Sequence, residues 1–287
     1  MNKLALWISG ALLSCGIAHA ETSVWQVEKG KDRLFLGGTI HVLSSSDLPL
    51  PATFHRIFND TDVLVLETDI SKLTLPENSM RLLGMLTYSD GRSLRDVVSA
   101  ETFSQVEHFA NTEGVPITMF ERLTPAGVAL TVLSIELAKA GIQHEGVDTI
   151  FHNQAQASGK PVQGLESIDD HLHFVANMGA GVEDQFVSQT LADAHKTRDG
   201  IRTIIDAWRS GDVKALEGAV LDDMPEDYPK LYQELLVQRN NNWMPQILNM
   251  FETPEQEFVL VGAAHLLGPD GLLKQLQGKG YSIMQLE

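Results

Sequence analysis

Two histidines occupy matching frames near opposite ends of the chain, Gly38-Thr39-Ile40-His41 and Gly262-Ala263-Ala264-His265, each after an apolar run that reads as a strand. A glycine at a strand end lets the backbone turn or a ligand approach closely, and a histidine three residues later projects an imidazole at the sheet edge. Strands distant in sequence are often neighbours in space, so the two frames predict one shared site. The plain alternative is a pair of buried histidines satisfied by backbone carbonyls. Glu67 ends the run Asp62-Val63-Leu64-Val65-Leu66-Glu67. A carboxylate there could ligate a metal, act as a general base, or orient a metal-bound histidine. Asp69, two residues on, reads better as a helix cap. Two histidines and a carboxylate are the makings of a hydrolytic metal site, where bound water loses a proton near neutral pH.

Other groups could join them. Asp148, in Gly146-Val147-Asp148, falls near a helix start and reads as a cap. Glu166 follows a short strand-like run at 160–163 and could project at the same edge as Glu67. Arg239 and Asn240 lie in a helical segment with Trp243 and Met244. There an arginine fork suits an oxyanion and a carboxamide suits a polarised carbonyl, although a salt-bridged helix surface would read the same way. His171 and His173 fall in a helical segment where they diverge, and they read as surface or packing residues, as do His55, His108, His144, His152 and His195. The sequence contains no His-Glu-x-x-His, no Gly-x-Ser-x-Gly and no phosphate-cradling glycine loop.

The elements that must position these groups are legible in outline. Residues 23–26 and 33–38 read as a hairpin, 62–67 as a strand buried on both faces, and 257–261 and 281–285 as strands flanking a helix at 270–277. Between about 73 and 250 the periodicity is helical. Thr124-Pro125 opens one helix in the cap-then-proline manner, and 183–209 and 227–239 read as longer ones. The fold class predicted is α/β (α+β): a central mixed sheet built from both ends of the chain, with a large helical insertion. No Pro/Ser/Gly-rich linker divides residues 21–287, which read as a single domain.

Residues 1–20 resemble a secretory leader, with Lys3, an apolar run from 4 to 17, and Ala18-His19-Ala20 before a cleavage point. The run is short for a membrane span, and the expected location is periplasmic or secreted; a lipid anchor on Cys15 is the competing reading. Cys15 is the only cysteine, so a cleaved chain offers no disulfide and no thiolate. A net charge of −17 makes nucleic acid and anionic membrane poor partners. A peptide or small molecule is the expected substrate.

Taken in order, Gly38 to Leu43, Leu66 to Asp69, Gly146 to Asp148, Gly159-Lys160 with Leu165-Glu166, Arg239-Asn240 with Trp243-Met244, and Val261 to Gly268 resemble the TraB/PrgY/GumN family, in its GumN-type bacterial branch. That family is similar to the Tiki metal-dependent proteases and is grouped with erythromycin-esterase-like and haem-binding ChaN-like folds. The resemblance implies His41 and His265 as metal or catalytic residues, with Glu67 and Glu166 as carboxylates of the same site. It implies Arg239 and Asn240 as substrate or transition-state contacts. The function expected is an exported, peptidase-like hydrolase using a divalent ion (Mn, Co or Zn), with His41, His265 and Glu67 as ligands. The alternative is a periplasmic protein that sequesters a peptide or a haem-like ligand without chemistry.

Overall fold

The computed structural model describes residues 22–222 and 224–287. The leader and Cys15 lie outside the described residues. Among the described residues there are eight strands: β1 (Val24–Lys29), β2 (Asp32–Thr39), β3 (Val42–Leu43), β4 (Val63–Leu66), β5 (His144–Glu145), β6 (Val162–Gly164), β7 (Glu257–Gly262) and β8 (Ser282–Gln285). Six form one sheet in the order β6-β4-β7-β2-β1-β8, and β3 pairs with β5. β1 runs antiparallel to β2 and β8, whereas β2, β7, β4 and β6 are mutually parallel. The sheet is thus mixed and is built largely from the two ends of the chain, as the sequence predicts.

Local chemistry explains the main elements. The β1–β2 hairpin turns at Gly30, whose φ of 68° is open to glycine at no steric cost. β4 is apolar throughout and every residue in it is buried, as a strand covered on both faces requires. The helix Pro125–Lys139 begins on a Thr124 hydroxyl that accepts from the Gly127 N–H. The helix predicted at 227–239 is broken instead into Met224–Asp227, Pro229–Tyr232 and a π-helical turn, Gln233–Val237, which runs into the helix Gln238–Met250. Pro229 has no N–H to continue the preceding turn. Downstream of the π turn, Arg239, Trp243 and Ile247 share one buried stripe with Asn240 and Met244.

The larger apolar cluster packs around the sheet and includes Phe54, Phe151, Trp208 and Phe258. A smaller one, with Leu94, Phe103, Phe120 and Val187, lies among the helices of the insertion. Trp208, on the helix Glu183–Ser210, is fully buried and donates its indole N–H to the Gly38 carbonyl at 2.7 Å. That bond ties the insertion to the strand end from which His41 emerges. No helix among the described residues is long and apolar enough to cross a membrane.

Candidate functional site

The four parallel strands deliver their C-terminal ends to one edge, and each is followed within three residues by a polar side chain: His41 after β2, Glu67 after β4, Glu166 after β6 and His265 after β7. In open α/β sheets this is the edge at which ligands gather. β2 and β7 are direct neighbours, with Thr39 opposite Gly262, so the two Gly-x-x-His frames emerge side by side. Their environments then diverge. The His41 side chain is 64% exposed, whereas His265 closes a 3-10 turn and is buried.

His41 is held from below. Its Nδ1 lies 2.8 Å from Asp148 Oδ2, and the other oxygen of Asp148 accepts from the Thr39 hydroxyl at 2.8 Å. The Asp148 carboxylate beside His41 raises the imidazole's pKa, and water around the exposed ring screens that attraction. Asp148 sits in the first turn of the helix Val147–Ser158. Gly146 lets that helix press on the strand end, because a Cβ there would lie 2.2 Å from the His41 carbonyl. Asp148 is therefore a partner of His41, a role the sequence reading, which made it a cap, did not assign.

His265 has a determined tautomer. Asn240 Nδ2 donates to the carbonyls of His265 and Asp270, so Asn240 Oδ1 is the atom 2.8 Å from His265 Nδ1 and must accept from it. Nε2 then carries the lone pair, which accepts from Arg239 Nη1 at 3.1 Å. Burial drives the His265 pKa down to about 4, and Arg239 adds to that while Glu67 opposes it. The ring is neutral near pH 7 and lies against Trp243, with centroids 4.5 Å apart.

Arg239 is the hub. Its guanidinium donates to Glu67 Oε2 at 2.6 Å and to both oxygens of Glu166 at 2.8 and 3.0 Å, and it stacks on Phe174 and Trp243. Burial pushes the Glu67 carboxyl up, but Arg239, the nearby histidines and the Gly262 N–H outweigh it, and the group lies well below the usual carboxylate range. Glu166 is lowered likewise: His171 Nδ1 at 2.7 Å and Arg239 override its burial. The sequence reads His171 as a surface or packing residue and does not give it this partner. The signal that could have found it is the Glu166–His171 spacing across the Ser167 helix cap, which lets the ring reach back to the carboxylate. Asp69 caps its helix, as expected.

The structure thus brings His41, Glu67, Glu166, Arg239, Asn240 and His265 into one cluster. Arg239 and Asn240 are buried and fully engaged within it, so they position their neighbours from behind. His41 and Glu67 converge over Gly262. A Cβ placed on this glycine would sit 3.2 Å from Glu67 Oε1 and 3.3 Å from His41 Nε2, with His265 Cδ2 at 3.6 Å. A histidine nitrogen and a carboxylate oxygen are two donors of the kind a divalent cation takes, and the Asp148 bond to His41 is the outer support such a ligand uses, but no group of three His, Cys, Asp or Glu side chains among the described residues is arranged to hold one. His265 turns its Nε2 to Arg239 instead.

No solved structure matches the chain. The uncharacterized protein YbaP of Escherichia coli (strain K12) is 23% identical over 252 residues, which is 86% of this chain and 89% of that protein. YbaP of Shigella flexneri is similar to the same extent. The profile of the TraB/PrgY/gumN family matches residues 23–285, the span that holds every strand and every member of the cluster, and the chain belongs to that family.

Proposed function

We propose that the chain is an exported, peptidase-like hydrolase whose reacting point lies over Gly262. The observation that carries this reading is the convergence of His41 Nε2 and Glu67 Oε1 on that glycine. Asp148 accepts from His41 Nδ1 and so aims Nε2 at the point. Arg239 keeps Glu67 ionised. A carboxylate of such low basicity is a better ligand or electrostatic anchor than a general base.

His41 Nε2 and Glu67 Oε1 would hold a divalent cation (Mn, Co or Zn), with His265 joining only if Arg239 released its Nε2. Bound there, the cation would supply an acidified water at neutral pH. One observation favours a second reading without the ion: Arg239 already places positive charge on Glu67 and on the His265 lone pair. His41 then moves the proton itself.

The test is metal analysis of the mature protein, His41→Ala and His265→Ala, all purified without chelator, beside digestion of a mixed peptide library with and without EDTA. Near-stoichiometric metal lost on His41→Ala, with EDTA-sensitive cleavage, supports the cation reading. Cleavage that resists EDTA but is lost on His41→Ala supports the second. Peptides unchanged in mass under every condition, with manganese, cobalt and zinc each supplied, refute hydrolysis. A protein that sequesters a peptide or a haem-like ligand would then stand in its place, and a Soret band on haem titration would identify the latter.

A further inference from the structure

The edge strand of the sheet next to the site is open. Among the described residues β6 pairs only with β4, in parallel, with Leu64 opposite Val162 and Leu66 opposite Gly164. Leu64 N–H donates to the Pro161 carbonyl, and Leu165 N–H donates to the Leu66 carbonyl. The parallel ladder therefore uses Pro161, Gln163 and Leu165, and the N–H and C=O of Val162 and Gly164 point away from the sheet. No other described segment bonds to them. Gln163 and Gly164 are exposed.

Two clefts border this edge. One, of about 590 Å³, is lined by Glu166, Arg239, Phe174 and Asn242. The other, of about 760 Å³, lies toward the start of the strand and is lined by Gln163, Asn249 and Glu255. They meet at Gln246, which lines both. Carboxamides carry a donor and an acceptor each, and Gln163, Asn242, Gln246 and Asn249 thus offer what a peptide backbone and its polar side chains need. The charge is one-sided. Asp170 and Glu255 are exposed at opposite ends, Arg239 is neutralised by two glutamates, and Lys160 at the foot of β6 turns over the Phe58 ring and bonds to the Thr61 carbonyl.

We propose that an extended, basic polypeptide segment docks along β6 as an added strand, through the outward backbone groups of Val162 and Gly164. An added strand supplies main-chain hydrogen bonds for affinity and side-chain pockets for selectivity. Because β6 leads directly into Glu166, such a segment is carried toward the reacting edge. The inference names the substrate class of the site proposed above, and it rests on that reading for cleavage alone.

The experiment measures binding apart from cutting. Fluorescein-labelled octapeptides, one lysine-rich, one glutamate-rich, and copies of the first N-methylated at alternate residues, are titrated by anisotropy into full-length His41→Ala protein. The lysine peptide should bind about tenfold tighter than the glutamate peptide, as a few exposed charge contacts allow. Methylation in one alternating register should abolish binding while the other register tolerates it. Glu255→Lys, at an exposed position, should narrow the charge preference about threefold. Equal affinity for the two charge types, or indifference to N-methylation, overturns the proposal. A peptide that binds in this pattern but is never cut by the wild type sinks hydrolysis and leaves the docking intact. One that is cut but bound without register dependence does the reverse.

Discussion

Arg239→Met tests the electrostatic core of the site. The methionine would fill much of the same space between Phe174 and Trp243 but would remove the cation that bonds Glu67, Glu166 and His265. The Arg239 and Glu67 side chains are only 8% and 9% exposed, so water cannot replace the lost partner without rearrangement. Breaking a buried pair from one side costs about 3–5 kcal/mol, most of it the desolvation of the charge left behind. The pH dependence gives the sign. In the wild type Glu67 is depressed, so its contribution is present above the unfolded carboxylate value and is lost as pH falls through the folded one. Without Arg239 the folded carboxyl rises above its unfolded value, and the folded state gains a proton first as pH falls. The deficit should therefore be largest at pH 7–8 and shrink toward roughly pH 4.5. Urea unfolding of both proteins across that range measures it. A deficit under about 1 kcal/mol, or one that does not change with pH, would refute the claim that Arg239 neutralises a buried carboxylate pair.

Three further outcomes are expected. Asp148→Asn should return the His41 pKa from its raised value toward about 6.5, read from the imidazole protons by NMR, and an unmoved titration would mean that the 2.8 Å contact carries no charge coupling. Gly262→Ala should abolish turnover or cation uptake, because the backbone there (φ −48°, ψ 134°) suits alanine while the new Cβ presses on Glu67 Oε1 and His41 Nε2; full activity would move the reacting point elsewhere. The unfolded state binds a proton on His265 below about 6.5 that the folded state refuses until about 4, so stability should fall across that window as pH drops, by on the order of 3 kcal/mol. Wild type and His265→Gln showing equal slopes there by calorimetry would contradict the buried neutral tautomer.

The sequence by itself determined which strands exist near its two ends and which residues end them, because apolar run length and a terminal glycine or acid are local signals. His41, Glu67, Glu166 and His265 were nameable from that alone, since strands placed in one parallel set must bring their C-terminal ends to one edge. What no local pattern contained was the partner of each group. Asp148 looked like a cap until the helix it starts was pressed on His41 through Gly146. His171 reads as a surface or packing residue, and only the fold closes its ring on Glu166. Arg239 and Asn240 could be placed on a helix but not faced, since the π turn before them sets which side is buried. Only the tertiary structure decided that one histidine is wet and charge-coupled while its twin is dry and neutral, because burial and the nearest charge are properties of the assembled edge.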